Sequence, residues 1–166
     1  MKWTDIQQWE SAPLHAYAVE CENKQRKLQA EGDNLAADLE SLSGSGQTVQ
    51  AARSSLRQQI SSIERQVNHL ISTAEICSAG AHGIDRLRAN IDDALQLANT
   101  WGMSIDASGN VSMDATQVQK LVDEGKSRSE RKSLVKTAQE RVNTALKQAQ
   151  ELVESLSQKL AALEAG

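Results

Sequence analysis

The sequence predicts an all-α fold, an elongated antiparallel helical bundle built on a long helical hairpin, with a small β-hairpin-like connector near residues 104–112. Aromatic side chains make up only 2% of the 166 residues and Phe is absent, so a β-sandwich or barrel core is not expected. Strong helix formers dominate instead, and Pro13 is the only proline. Apolar residues at steps of three and four predict long helices that pack through hydrophobic seams.

The N-terminal residues predict two helices separated by a short break. Thr4 is expected to cap a short helix that reaches about Trp9, with Gln7 at its third position. A second helix is expected over residues 13–42, because proline is tolerated in a first helical turn. Its apolar positions repeat every seven residues, at Leu14, Cys21, Leu28, Leu35 and Leu42. This heptad spacing predicts a coiled-coil-like seam.

The segment 43–46, Ser-Gly-Ser-Gly, is the strongest break in the chain and predicts a turn. A long helix is expected over residues 47–101, with a bend near Gly80 and Gly83. A helix of this length is not stable alone in water, so other helices must cover its seam. Replacing Leu56 or Ile63 in that seam with alanine is therefore predicted to destabilise the protein by about 2–4 kcal/mol.

The C-terminal third of the chain predicts a connector and two further helices. Ile105 and Val111 flank an Asx/Gly turn and predict a short β-hairpin. A helix capped by Asp114 is expected to reach about Val122, and a final helix is expected over residues 127–163. The seam of the final helix consists of Leu134, Ala138, Val142, Ala145, Ala149, Leu152, Leu156 and Leu163.

Chain length indicates how these helices fold back on one another. A reversal at residues 44–46 places residue n of the first long helix opposite about residue 90 − n. A second reversal near residues 107–108 is expected to return the final helix along the whole long helix, as an antiparallel three-helix bundle. The predicted parts of this single domain are the helical hairpin 1–103, the connector 104–113 and the C-terminal helices 114–166. Helix 13–42 covers the long helix only to about residue 77, so the far end of the bundle is expected to be two helices thick, which leaves apolar surface for a partner.

Cys21 and Cys77 are expected to be buried free thiols, with a disulfide as the less favoured alternative. The fold-back places Cys21 opposite about residue 69, so the two cysteines lie about 12 Å apart along the helix axis. The Cα atoms of a disulfide lie within about 7 Å of each other. Both cysteines also occupy seam positions, where a thiol packs as a small hydrophobic group.

Charge and hydropathy exclude several classes of protein. A net charge of −4 and a pI of about 5.4 do not indicate nucleic-acid binding. No apolar run is long enough for a transmembrane helix, and the N-terminus lacks the apolar core of a Sec signal peptide. Basic residues cluster between Lys126 and Arg141, and two interpretations remain. A solvated helix face is favoured over a contact with the phosphates of a membrane or nucleic acid.

No motif for catalysis or metal binding is found. His15, His69 and His82 are far apart in the sequence, and Cys77 with His82 lacks a second pair of metal ligands. The adjacent carboxylates at 92–93 point to different parts of a helix surface and do not form an acid–base pair. The sequence therefore predicts a binding protein that is not an enzyme and that has no catalytic residue, metal site or cofactor.

Five apolar residues are the candidates for contact with a partner protein: Trp3, Trp9, Leu14, Leu28 and Leu35. The three leucines belong to the seam of the first long helix. The two tryptophans admit two interpretations, because they either plug the end of the bundle or lie at an interface, where Trp is favoured. Gly44, Ser45 and Gly46 form the turn motif of the hairpin.

One family resemblance covers about the first 110 residues. Residues 6–14, Ile-Gln-Gln-Trp-Glu-Ser-Ala-Pro-Leu, precede a helix, a tight turn and the segment 46–53, Gly-Gln-Thr-Val-Gln-Ala-Ala-Arg. This arrangement resembles the N-terminal helical domains of actinobacterial type VII (ESX) secretion substrates, within the wider WXG-motif (ESAT-like) group of helical hairpins. Residues 98–111 are similar to the connector of larger substrates. Gly44-Ser45-Gly46 stands where the family has Trp-x-Gly.

The resemblance implies a non-enzymatic module that binds a small helical-hairpin protein as a heterodimer and targets it for export. It also implies a cytoplasmic protein that is later secreted or placed on the cell surface through a type VII system. The family's export signal is a Tyr followed four residues later by Asp or Glu. It is not matched, because the residue four positions after Tyr17, the only Tyr, is Cys21. The resemblance therefore implies a signal on the partner or beyond residue 166, where larger substrates carry an effector domain. The same seams support one alternative, a self-associating structural coiled coil.

Overall fold

Five helices and one two-stranded sheet make up the computed structural model, which describes residues 1–166. In chain order the elements are α1 (Trp3–Ile6), α2 (Ala12–Ser41), α3 (Gln47–Trp101), β1 (Met103–Ile105), β2 (Val111–Met113), α4 (Ala115–Asp123) and α5 (Arg128–Ala165). The predicted all-α fold with a small β-hairpin is confirmed. α3 is one uninterrupted helix that passes through Gly80 and Gly83.

The start of the first helix differs from the prediction. α1 begins after Lys2 and ends at Ile6, so neither the cap at Thr4 nor the end near Trp9 is correct. The carboxylate of Asp5 accepts a hydrogen bond from the backbone N–H of Lys2 at 3.0 Å. An ionised carboxylate is a stronger acceptor than a neutral side chain, and it is favoured at the positive end of the helix.

Contacts divide the chain into two compact units. The core unit consists of residues 1–11 and 80–157, and the hairpin unit consists of residues 12–79 and 158–166. Helices α3 and α5 contribute residues to both units.

In the core unit, α3 and α5 pack through small side chains. Buried alanines allow a short distance between helices, and they are Ala94, Ala98, Ala138, Ala145 and Ala149. The largest side chains that fill the remaining space are Trp3, Ile6, Leu87, Leu121 and Val142. Leu87 is buried in place of its neighbour Arg88, which donates hydrogen bonds to the carbonyl oxygens of Trp9 at 2.5 Å and Gln7 at 3.5 Å.

The connector forms the predicted antiparallel hairpin, with Ile105 opposite Val111. Its turn is held by Asp106, whose carboxylate accepts hydrogen bonds at 2.9 Å from the backbone N–H groups of Asn110 and Ser108. The bonds from Asn110, and then that from Ser108, hold the pKa of Asp106 below its usual value of 3.8. A sharp turn is thus closed by the charged form of one side chain.

The hairpin is joined to α5 by Gln139. Gln139 of α5 donates to the carbonyl oxygen of Gly109 at 2.8 Å, and its own oxygen accepts from the N–H of Val111 at 2.8 Å. Asp114 caps α4 as predicted, because its side chain accepts from the N–H of Gln117 at 2.7 Å. The hairpin therefore has a fixed position in the core unit.

In the hairpin unit, α2 packs against the first part of α3. The two helices approach closely at Gly32, where an added Cβ would lie 3.2 Å from Cγ2 of Ile63. Cys21 and Cys77 share a buried cluster with Ala18 and Ala74. Both thiols are free, as the sequence predicts.

The predicted register of α2 on α3 is wrong. Cys21 packs near Cys77 rather than opposite residue 69. Residues 42–46 do not form a tight turn. The guanidinium of Arg53 donates to the carbonyl oxygens of Leu42 and Gly44 at 3.2 and 3.3 Å. This segment lies beside the first turns of α3, so every residue of α2 meets a later residue of α3 than a tight turn would allow.

The predicted bounds of the final helix agree with those of α5, but the prediction that this helix returns along the whole of the long helix is wrong. In the core unit Gly83 lies beside Leu152, whose Cδ1 would be 2.6 Å from a Cβ added at position 83. Residues 102–127 form the connector and α4 and are not part of α5. A tight reversal would have placed them in the final helix. In the hairpin unit the last residues of α5 lie beside residues 62–72 of α3, and the helix ends at Ala165. Residues 47–61 therefore have only α2 beside them in this unit.

Candidate partner-binding surface

Residues 22–62 of the hairpin unit, which we call the open hairpin, contain no buried residue. Seven large apolar side chains between the two helices are only half-buried: Leu28, Leu35, Leu39, Leu42, Val49, Leu56 and Ile60. Two helices cover one side of each other's seam, and a bundle needs further helices to cover the rest. The open hairpin therefore leaves apolar surface along both of its long sides.

The end of the open hairpin is built from the predicted turn motif. Gly44 and Gly46 have φ values of +97° and +111°, which favour glycine, and both flank the exposed Ser45. Arg53 holds the segment against α3 through the carbonyl oxygens of Leu42 and Gly44. Hydrogen bonds from a guanidinium thus stabilise this end of the open hairpin.

A groove of about 960 Å³ lies at the base of the open hairpin, where α5 ends. Its main apolar residues come from three helices, Leu28 on α2, Leu70 on α3 and Leu163 on α5. We call it the basic groove, because its charged residues are Lys24, Lys27 and Arg65. The other lining residues are Ser62, Gln66, Asn68, His69, Ser72, Ala162 and Gly166.

The charge of the basic groove is opposite in sign to the net charge of the whole chain. The whole chain carries −4, yet none of the 13 lining residues is acidic. Lys24 forms an exposed ion pair with Glu20 at 3.3 Å, whereas Lys27 and Arg65 have no carboxylate partner. Two cations, one on each helix, are therefore available to a negatively charged group that enters the groove.

A second groove, of about 470 Å³, also lies between α2 and α3. It has an apolar lining of Gly32, Ala36, Ile60, Ile63, Val67 and Ile71, with the acidic residues Asp33 and Glu64 among its polar ones. It differs from the basic groove in the sign of its charge.

The five candidate contact residues are not brought together. Trp3 is 2% exposed inside the core unit, and Trp9 packs half-buried against the same cluster. Leu14 packs against the cluster of Cys21 and Cys77. Leu28 and Leu35 lie half-buried on the open hairpin, and only Leu28 lines the basic groove.

Part of the predicted basic cluster, residues 126–141, has a role within the core unit. The Nζ of Lys126 lies 5.3 Å from the centre of the Trp101 ring, which is within the range of a cation–π contact. The guanidinium of Arg131 donates to the carbonyl oxygen of Lys126 at 2.8 Å. Arg128, Lys132, Lys136 and Arg141 are exposed, in agreement with a solvated helix face.

Sequence reasoning missed the three cations of the basic groove. α2 carries six acidic and three basic residues, so its overall composition hides Lys24 and Lys27. Their positions four residues and one residue before Leu28 place them beside the seam, which was a usable signal. The predicted register already placed Arg65 opposite about residue 25, next to Lys24 and Lys27, so this cation had a usable signal as well.

Comparison with models of known protein families, with curated proteins and with solved structures finds no match to this chain. None of the five helices has the length and apolar character that a membrane span requires.

Proposed function

We propose that this chain is a helical protein-binding module whose open hairpin packs against a helical-hairpin partner. The observation that carries the proposal is the absence of any buried residue from 22 to 62, although seven large apolar side chains lie there. A second pair of helices on this surface would complete a four-helix bundle and bury those side chains. Burial of apolar area is the main favourable term in association of this kind.

The biological setting that we propose is type VII secretion, with the partner as a small hairpin protein of the WXG-motif group. The chain would then act as a substrate module that is targeted for export. This part rests on the resemblance of residues 6–14 and 46–53 to that family. The protein would lie in the cytoplasm until it is exported with its partner.

A second copy of the chain is the rival partner, and the charges on the open hairpin favour it. Four acidic residues and no basic one lie within residues 31–40 of α2, whereas residues 47–62 of α3 contain Arg53 and Arg57 and no acidic residue. Two copies that place α2 of one against α3 of the other would pair opposite charges. This arrangement would make the protein a self-associating coiled-coil scaffold.

Size-exclusion chromatography with light scattering tests the proposal. The full chain is mixed with hairpin proteins encoded beside it, and a one-to-one complex is the expected result. Leu35→Glu on the open hairpin should abolish the complex, and Val153→Glu, at an exposed position of α5 in the core unit, should not. Circular dichroism shows whether Leu35→Glu remains helical, and Leu35→Ala replaces it if it does not.

Two results would contradict the heterodimer. A chain that stays monomeric with every such protein would remove the proposed function. A concentration-dependent homodimer that no hairpin protein displaces would instead support the coiled-coil scaffold.

A further inference from the structure

Building on the proposed function, we propose that the basic groove docks one acidic amphipathic helix of the partner. Its leucine-like side chains would lie against Leu28, Leu70 and Leu163, and its carboxylates would lie beside Lys27 and Arg65. The proposal names the chemistry of the partner's contacting helix, which the open hairpin by itself does not specify.

The shape of the groove favours a helix as the occupant. α5 contributes Leu163 to the groove and ends at Ala165. The volume of about 960 Å³ is at the upper limit of small-molecule sites, and an open groove between helices suits a helix that lays its apolar face inside.

The charge of the groove favours acidic residues on the flanks of that helix. Lys27 and Arg65 lie on different helices, so carboxylates on both flanks of an inserted helix have a cation to approach. No acidic side chain lines the groove to oppose them. Complementary charge at the rim of an interface speeds association and selects among partners, whereas a basic helix would meet like charge.

The experiment measures binding of two synthetic helical peptides to the full chain by fluorescence anisotropy. Both peptides carry leucine at steps of three and four residues, and one has glutamate and the other lysine at the flanking positions. We expect the glutamate peptide to bind at least about tenfold more tightly than the lysine peptide, since several weak charge pairs change from favourable to unfavourable. High salt should reduce this preference.

Charge-reversal variants locate the contact. The double variant Lys27→Glu, Arg65→Glu should lose about tenfold in affinity for the glutamate peptide and gain affinity for the lysine peptide. Arg26→Glu is the matched control, because Arg26 is an exposed cation on the same helix that does not line the groove. Circular dichroism of both variants shows whether α2 and α3 remain folded, and Lys27→Gln, Arg65→Gln replaces a double variant that does not fold.

Three outcomes would overturn the inference. They are equal binding of the two peptides, an equal loss with Arg26→Glu, and binding only to anionic lipid vesicles with the same dependence on Lys27 and Arg65. The proposed function is judged separately by the chromatography. A one-to-one complex that the double variant leaves intact refutes the groove contact alone, whereas the absence of any complex refutes the proposed function alone.

Discussion

Alanine at Gly109 should destabilise the core unit much more than alanine at Gly125, although the two glycines have nearly the same backbone conformation. Their φ values are +93° and +84°. A Cβ at Gly109 would lie 3.0 Å from Cγ1 of Val142 and 3.1 Å from Cδ1 of Leu146, whereas a Cβ at Gly125 would have no neighbour within 4 Å. The pair therefore separates the cost of the backbone from the cost of packing.

The magnitudes follow from these two terms. A non-glycine residue in the left-handed region costs about 1–2 kcal/mol, and alanine regains part of that by reducing the entropy of the unfolded chain. Gly125→Ala should therefore lower the free energy of unfolding by about 1 kcal/mol. Gly109→Ala adds the cost of overpacking a buried position, about 1–3 kcal/mol, for a total of about 2–4 kcal/mol.

Urea unfolding followed by tryptophan fluorescence is the suitable assay, because Trp3, Trp9 and Trp101 all lie in the core unit. In the double variant Gly109→Ala, Val142→Ala the smaller neighbour should relieve part of the clash. The loss in the free energy of unfolding should therefore be smaller than the sum of the losses in the two single variants. Equal losses for Gly109→Ala and Gly125→Ala, or strict additivity in the double variant, would refute the packing of the hairpin turn against α5.

Three further predictions concern the seams, the turn and the thiols. Leu87→Ala should lower the free energy of unfolding by about 3–4 kcal/mol, because Leu87 is fully buried. Leu56 is only half-buried on the open hairpin, so Leu56→Ala should lower it by only about 1–2 kcal/mol. Equal losses in chemical denaturation would contradict the burial of Leu87. Hydrogen bonds, from Asn110 above all, lower the folded-state pKa of Asp106, so its stabilisation of the turn is complete above the unfolded value of about 4 and is lost as pH falls through the folded value. The amide NMR signals of the turn should titrate with a midpoint below 3.8, and a midpoint above it would exclude these bonds. Burial raises the pKa of the Cys77 thiol, so an alkylating reagent should modify it far more slowly in the native protein than in urea, and equal rates would show that the thiol is accessible.

Local patterns in the sequence predicted most of the secondary structure. The helix break at residues 43–46, the helix over residues 47–101 and the hairpin around Ile105 and Val111 are all present. Each has a signal that is local in the sequence, such as glycine at a helix break or apolar residues at steps of three and four. The error at α1 is of the same local kind, because Lys2, whose side chain is not a preferred cap, takes the cap position, and Asp5 at the third helical position supplies the hydrogen bond.

The candidate site was predicted only in outline. Heptad spacing identified the apolar side chains of α2. The unequal helix lengths predicted that the end beyond about residue 77 of the long helix is two helices thick. In the hairpin unit it is instead residues 47–61, at the opposite end of α3, that have no third helix beside them, because the last residues of α5 lie beside residues 62–72. The seam spacing did not separate Leu56 from Leu87, since both are apolar residues at helical steps. Their burial differs because Leu87 is packed among side chains of the core unit, whereas Leu56 has only α2 opposite it in the hairpin unit.

By itself the sequence determined that this chain forms long amphipathic helices with a glycine turn, since helix propensity and apolar spacing act over a few residues. The tertiary structure alone decided the register. Arg53 holds the link between α2 and α3 along the first turns of α3, and the residues between α3 and α5 use up chain length before α5 begins. The residues between α3 and α5 thereby determine that Leu163 lies beside Leu28 and Leu70 in the basic groove. Contacts between distant residues have no counterpart in local spacing, so the surface proposed for binding became visible only in the folded chain.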